Sequence, residues 1–404
     1  MVQPGGNVSP ITTRRMMYYF FLLGFFAIFS TTISKNPVLP LFSQAIGAND
    51  TIIGLIAAVS PLAGILFSFP VGVLSDHFGR RRILIVSGAV FLLAPVLYLF
   101  VTAPAWLIPV RFFHGTATAI LGPVISAVIA ERFPDTKGEM LGQYASATLI
   151  GRTIAPLIGG IIISVFVMAP GLVQYQAVYI IAALAALPVF IMTLMFRETD
   201  RSGALKIPSL SMFKESFITF FTNRRLRATA LADMATYFAF GAFETFLPVY
   251  LLQQGIGAYQ TGIIFAVQVL IIAATKPLFG KLADRIDKRI QIAAGLLILS
   301  ISVATLPFAG SFAGFLAASM GLGLGMSIST VATSAYTADI ARKEQIGSSM
   351  GALSSTMDIG HSAGPLVTGI IITAAGYTYG FMTGCILTLA VAVVFWISVR
   401  NPAA

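Results

Sequence analysis

The chain is predicted to be an all-α polytopic membrane protein, with twelve transmembrane helices in two pseudo-symmetric six-helix bundles. Three observations predict it. Of 404 residues, 57% are hydrophobic and only 10% are charged, against about 25% charge in a soluble domain. Apolar runs of about 20 residues or more recur, each long enough to cross roughly 30 Å of hydrocarbon. A charged motif and its flanks also recur 208 residues apart, at Gly72 to Arg82 and at Gly280 to Arg289.

Lipid offers no partner to a free backbone group, so the runs must be helices or a closed barrel. The short alternating segments of barrel strands do not occur. The first span is placed at 17–43. Arg14-Arg15 ahead of it imitates a secretory or twin-arginine signal, but no small-residue cleavage site precedes Lys35-Asn36-Pro37. The second span, 51–75, follows Asn49, which reads as a helix cap in preference to a glycosylation acceptor. Spans three and four, 82–102 and 105–131, follow the Arg80 to Arg82 hairpin and end at Glu131. Span five, 138–165, is rich in Gly, and span six is 173–196.

The longest hydrophilic stretch then divides the chain. Residues 1–196 form one predicted bundle, 197–225 a cytoplasmic linker and 226–404 a second bundle. The stretch from Ser209 to Phe221 reads as an amphipathic helix on the membrane face. Spans seven to twelve are placed at 226–252, 259–281, 290–309, 312–339, 346–374 and 376–398. Of the 25 Lys and Arg residues, only Lys35, Arg111, Arg152 and Lys276 fall well inside spans, and the other 21 lie at the termini, in the even-to-odd connections or at the span ends that border them. Positive charge marks the cytoplasmic side, so both termini are expected in the cytoplasm of a multi-pass cell-membrane protein. The net charge of +10 is thereby a topology signal and does not point to nucleic acid. The lone Cys385 allows no intramolecular disulfide.

The repeat extends beyond the hairpins. Leu39-Pro40 recurs as Leu247-Pro248, Gly54 as Gly262, and Glu131 as Asp339. In span five, Gly142, Gly151, Ala155, Pro156 and Gly160 are matched in span eleven by Gly351, Gly360, Gly364, Pro365 and Gly369, offset by 209. Parallel six-span halves are a transporter plan with the substrate site between them near the midplane. Gly72, Asp76, Gly79 and Arg80 fill the pattern Gly-x3-Asp-x2-Gly-Arg, which resembles the signature loop of the major facilitator superfamily over nearly the whole chain. Gly151, Pro156, Gly159 and Gly160 resemble the span-five motif of its drug–proton antiporter branches. Arg111-Phe-Phe-His114-Gly115 resembles their span-four motif, whose Arg is linked to proton coupling, with His114 where Gln is common. The resemblance implies the major facilitator fold and export coupled to protons.

The candidate residues fall into three groups. Gly72, Asp76, Gly79, Arg80 and Arg81, with the decayed copy Gly280 and Asp284, are expected to latch an inner gate. An acid at a helix end can pair with the basic hairpin or with a facing helix N-terminus. The second copy has Asp287 where Gly79 provides the turn, so the first hairpin is expected to carry the latch. Gly151, Pro156, Gly159 and Gly160, with Gly360, Gly364 and Pro365, let helices approach closely and bend.

Ionisable residues inside spans are functional candidates by default: Lys35, Arg111, Arg152, Asp233, Glu244 and Asp358, with His114 and His361. Lys276 reads as a snorkelling residue near the membrane surface. Asp233 and Glu244 are eleven residues apart in span seven, about 16 Å along one face, which suits proton sites at two depths. The 208 offset maps Lys35 onto Phe243, beside Glu244, so Lys35 and Glu244 are expected to pair as an outer latch. Asp358 and His361 share a face, and the repeat sets His361 against Arg152. Arg111 is expected to tune the acid.

No nucleotide-binding loop, metal spacing or nucleophile set is legible, so the chain reads as no enzyme and as needing no cofactor. The expected activity is proton-coupled export of small amphipathic organic molecules by a monomer in the lipid bilayer. Thirty-two Phe and fourteen Met suit an adaptable apolar pocket. The alternatives are an uptake symporter or facilitator for a small organic anion and, from another class, a non-transporting receptor or lipid-handling protein.

Overall fold

The computed structural model describes residues 10–197, 218, 220, 222–342 and 345–400, together with backbone alone at 10–14, 69, 72–74, 76 and 77. The linker, including most of the stretch from Ser209 to Phe221, lies outside the described residues. The first half contains α1 (Pro10–Ile33), α2 (Val38–Ala45), α3 (Asp50–Phe78), α4 (Arg80–Tyr98), α5 (Pro104–Arg132), α6 (Lys137–Val165) and α7 (Val173–Met195). The second contains α8 (Arg224–Gln253), α9 (Ala258–Ala283), α10 (Lys288–Thr305), α11 (Phe312–Ile340), α12 (Ile346–Ala375) and α13 (Tyr377–Arg400).

Local chemistry sets the ends of these helices. Asn49 caps α3 by accepting from the Ile52 amide at 2.9 Å, as its sequence position predicts. Asn223 and Ser311 cap α8 and α11 in the same way. Gly79 joins α3 to α4 at φ 87, a left-handed conformation that only Gly adopts without strain. At the matching place Asp287 keeps φ −62 and accepts from the Arg289 amide, capping α10. The two hairpins therefore turn by different chemistry.

Two expectations need correction. The span at 17–43 is not one helix: residues 34–37 form a turn between α1 and α2. Pro37 lacks an N–H and pushes Asn36 out of the helical region, so the first span breaks there. The span at 346–374 is indeed helical, but eleven segments of the described residues are long and apolar enough to cross a membrane, and α12 is not among them. Its Ser, Thr, Asp and His residues dilute the apolar run.

The halves pack alike. α1 lies on α6, α3 on α5 and α4 on α7, while α8 lies on α12, α9 on α11 and α10 on α13. Between the halves α3 packs on α12 and α6 on α9. Those seams are made of backbone. Gly54 stands on the Pro365 carbonyl. Its repeat partner Gly262 stands on the Pro156 carbonyl, where an added methyl group would be 2.5 Å away. All four contacting stretches lie at the end of the molecule away from the termini.

At the other end, which bears the basic residues, Gly138 and Gly142 of α6 and Gly347 and Gly351 of α12 have nothing within 4 Å of an added methyl group. The halves touch at the far end and part at the basic end.

The turn chemistry predicts that Gly79→Ala lowers stability by about 1 kcal/mol through strain. Asp287→Ala is expected to lose about 1 kcal/mol through the lost cap. The Arg289 hydrogen bonds hold the Asp287 carboxyl below its usual range. Its contribution is thus present at neutral pH and lost as acid carries the pH down through the lowered value. Thermal unfolding of both variants from pH 7 downward checks this, with the destabilisation by Asp287→Ala shrinking as the pH falls.

Candidate functional site

The deepest polar contact joins three helical segments where the halves meet. Lys35, in the turn after α1, sends Nζ to within 2.5 Å of Glu244 Oε2 on α8. His361 of α12 brings Nε2 to 3.0 Å from the same oxygen and 3.1 Å from Lys35 Nζ. Asn36 donates its side-chain amide to Glu244 Oε1. The two carboxylate oxygens are thus fully engaged between the halves. Lys35 and Glu244 meet, as the repeat offset predicts, and His361 and Asn36 complete a cluster that the offset did not reveal. The Tyr237 ring lies parallel to His361 and the Phe240 ring meets it edge-on, at 6.3 and 5.6 Å.

This cluster lines one end of a cavity of about 480 Å³. Arg111 and His114 of α5, Arg152 of α6 and Asp358 of α12 also line it. Asp358 faces α3, where a methyl group added to Gly64 would stand 3.2 Å from its Oδ2. Arg111 and His114 are almost fully buried, at 3% and 2% exposure. The Tyr98 hydroxyl lies 3.3 Å from His114 Nδ1, and Arg111 lies against the same hydroxyl. Arg111 Nε and His114 Nε2 have no hydrogen-bond partner. Lys35 is the cation on Glu244, the His361 imidazole lies beside it, and Arg111 lines the same cavity.

Asp233 is not in this cavity. It is buried on α8 and accepts a hydrogen bond from Thr333 of α11 at 3.0 Å. With Lys276 it lines a second cavity of about 520 Å³ toward the basic end. Tyr237, Ser354 and Met357 line both cavities. Lys276 is exposed on α9 and lines this cavity together with Asp233. Its spacing from Gly280 reports depth, and only its place on the helix face, which depth does not give, turns it inward.

The basic hairpins pair within their own halves. Arg80 grips Glu131 with two hydrogen bonds of 2.9 and 2.5 Å, and Lys288 meets Asp339 at 2.8 Å. Both partners of the first pair recur in the second at the 208 offset. Arg81 donates to the Leu194 carbonyl at 3.3 Å. Gly72 and Asp76 lie on α3 with side chains outside the described residues. Asp284 is exposed at the end of α9, and Gly280 has only Val331 near it.

The small-residue motif divides between two faces. Gly151 and Gly159 pack on the first span, at Phe25 and Asn36, and Gly360 and Gly364 pack on α8, at Met234 and Phe238. Pro156 and Gly160 face α9, and Pro365 faces α3. One stripe thus holds each bundle together and the other forms the seam between bundles.

Comparison with known proteins follows the same outline. A family model described as Major Facilitator Superfamily matches residues 20–286 and 254–404. An uncharacterized MFS-type transporter of Methanocaldococcus jannaschii is 25% identical over 90% of this chain and 93% of its own. A multidrug resistance protein of Proteus mirabilis is 27% identical over 91% of each. Among solved structures, a variant of the nucleoside transporter NupG superposes with a TM-score of 0.83 at 11% identity, covering 95% of this chain and all of the other. A bacterial homolog of the lysosomal transporter Spinster, inward-facing and occupied, gives 0.75 at 15% identity, over 98% of this chain and all of that one. These likenesses carry the fold.

At the far end Thr51 of α3 and Thr373 of α12 are hydrogen-bonded at 2.8 Å, and Tyr377 donates to Asp50 at 2.7 Å. In a Cys385→Ser background, Thr51→Cys with Thr373→Cys is expected to form a disulfide on mild oxidation. Gly142→Cys with Gly280→Cys, at the parted end, is expected to stay reduced. Gel mobility after oxidation reads both, and cross-linking of the second pair alone would contradict the described opening.

Proposed function

Because the chain belongs to the major facilitator superfamily, and is thus a transporter and not an enzyme, we propose that it exports small amphipathic organic molecules in exchange for protons. The observation that carries this reading is the Glu244 carboxylate, held by Lys35 and His361 at the joint between the halves. The multidrug resistance relative supports export of such compounds.

The basic end is assigned to the cytoplasm by the positive-inside rule. The two cavities then open inward, and the Lys35–Glu244 pair closes the outer side of a monomer in the cell membrane. Substrate enters from the cytoplasm and fills the cavity. When the far end opens, the pair parts and leaves a carboxylate in reach of outside water, where it takes a proton. Closing the far end brings Lys35 back to Glu244, which favours the ionised acid and drives the proton off toward the inner cavity. Asp233, eleven residues nearer the basic end on the same helix, receives it. Lys35 couples the two events because its ammonium and the proton compete for one carboxylate.

The hairpins would close the opposite side. In the inward-open state Arg80 and Lys288 are held by acids of their own half, and these hairpins would re-pair across the halves when the cytoplasmic side shuts. A second reading, uptake of a small organic anion, has the cations Arg111 and Arg152 in its favour, and the direction of flux decides between the two.

In proteoliposomes with an imposed pH gradient, Glu244→Gln and Asp233→Asn are each expected to reduce gradient-driven transport of the fluorescent zwitterionic amphipath norfloxacin at least about tenfold, with unchanged elution on size exclusion. Undiminished gradient-driven transport in both variants would remove the proton assignment.

A further inference from the structure

The first half presents the cavity with hydrogen-bond donors and no acid. Arg111 is 3% exposed and its Nε has no partner, and His114 is 2% exposed with Nε2 equally unfilled. Arg152 lines the same cavity from α6, and among the described residues neither Arg forms an ion pair. Both arginines lie within electrostatic reach of Lys35. Of the two acids in the cavity, Glu244 is already taken by Lys35, Asn36 and His361. Asp358 is on the opposite half, on α12 facing α3.

The Tyr98 hydroxyl is 3.3 Å from His114 Nδ1. When that hydroxyl donates to Nδ1, the ring proton sits on Nε2, and the imidazole offers a donor to the cavity. A buried guanidinium with an N–H left unfilled is expensive, and a protein keeps one where a ligand supplies the missing oxygen.

We propose that Arg111, His114 and Arg152 form an oxyanion subsite that binds the carboxylate or phosphate of the transported molecule. The inference rests on reading this cavity as the transport site, and it holds for either direction of flux. Two guanidinium groups match planar or tetrahedral oxyanions better than a point charge does. The apolar part of the molecule lies against Phe240 and Met357, which line the same space. With Lys35 and Glu244 cancelling, Arg111 and Arg152 outweigh Asp358 by one charge, so an anionic group is needed to balance the cavity. A purely cationic amphipath meets one acid and two arginines.

The test uses the whole protein in phosphatidylcholine nanodiscs at pH 7, with four probes on one skeleton: phenylbutyrate, phenylbutylphosphonate, phenylbutylamine and phenylbutanol. Binding is read by titrating the thermal unfolding midpoint. At least one anion is expected to bind about tenfold more tightly than the amine and the alcohol, and the two anions tell carboxylate from phosphate. Arg111→Gln and Arg152→Gln are each expected to remove that preference while leaving the amine and alcohol unchanged. Should Arg111→Gln fail to fold, Arg152→Gln, whose side chain is exposed to the cavity, carries the test.

No anion preference, tightest binding by the amine, or equal weakening of all four probes by Arg152→Gln overturns the subsite. The measurement uses no gradient. A transporter that prefers anions but ignores the pH gradient would sink the proton reading alone, and gradient-driven transport without anion preference would sink the subsite alone.

Discussion

A carboxylate sealed between two bundles of apolar helices must have every lone pair occupied, and much of the molecule follows from how Glu244 meets that demand. One oxygen takes Lys35 and His361 and the other takes Asn36. Neighbouring residues on an unbroken helix point about 100° apart, so Lys35 and Asn36 could not both reach one carboxylate from such a helix. The turn at residues 34–37 brings them together. It also draws the first span, α8 and α12 to one point, which shuts the far end and leaves the cavities open at the other.

The charged groups fall into two classes by where their partners are. Arg80–Glu131 and Lys288–Asp339 stay within a half and stiffen it. Lys35–Glu244 crosses between the halves and must break if they separate. Rigid units with a breakable polar tie are what a rocking mechanism needs. The Lys288–Asp339 pair, whose acid is exposed, contributes little stability, while the sequestered tie, once parted, leaves its acid open to a proton.

The sequence disclosed much of this because the repeat is an internal alignment. Mapping Lys35 onto Phe243 put a cation beside Glu244 without any coordinates, and the pairing of Glu131 with Asp339 followed the same offset. What stayed hidden depends on rotation about a helix axis or on backbone breaks, neither of which spacing determines. Asn36 lies inside the first span as the sequence places it, with nothing in the spacing to mark it as a partner of Glu244. Lys276 gave away its depth but not the cavity that it lines, and Arg111 gave no sign of the Tyr98 hydroxyl beside it. Span eleven is less apolar than the others in part for the reason that makes it useful: its Ser354, Asp358 and His361 face the cavity.

The seams between the halves join backbone to backbone through Gly54, Gly262, Gly160 and Gly369. At those glycines no side chain interlocks, so one surface slides over the other there with a smooth friction, not a series of notches. The activation enthalpy of turnover would then reside in the polar contacts, the Lys35–Glu244 tie and the Thr51–Thr373 and Tyr377–Asp50 hydrogen bonds, and bilayer fluidity would set how quickly the halves exchange positions once these are loosened.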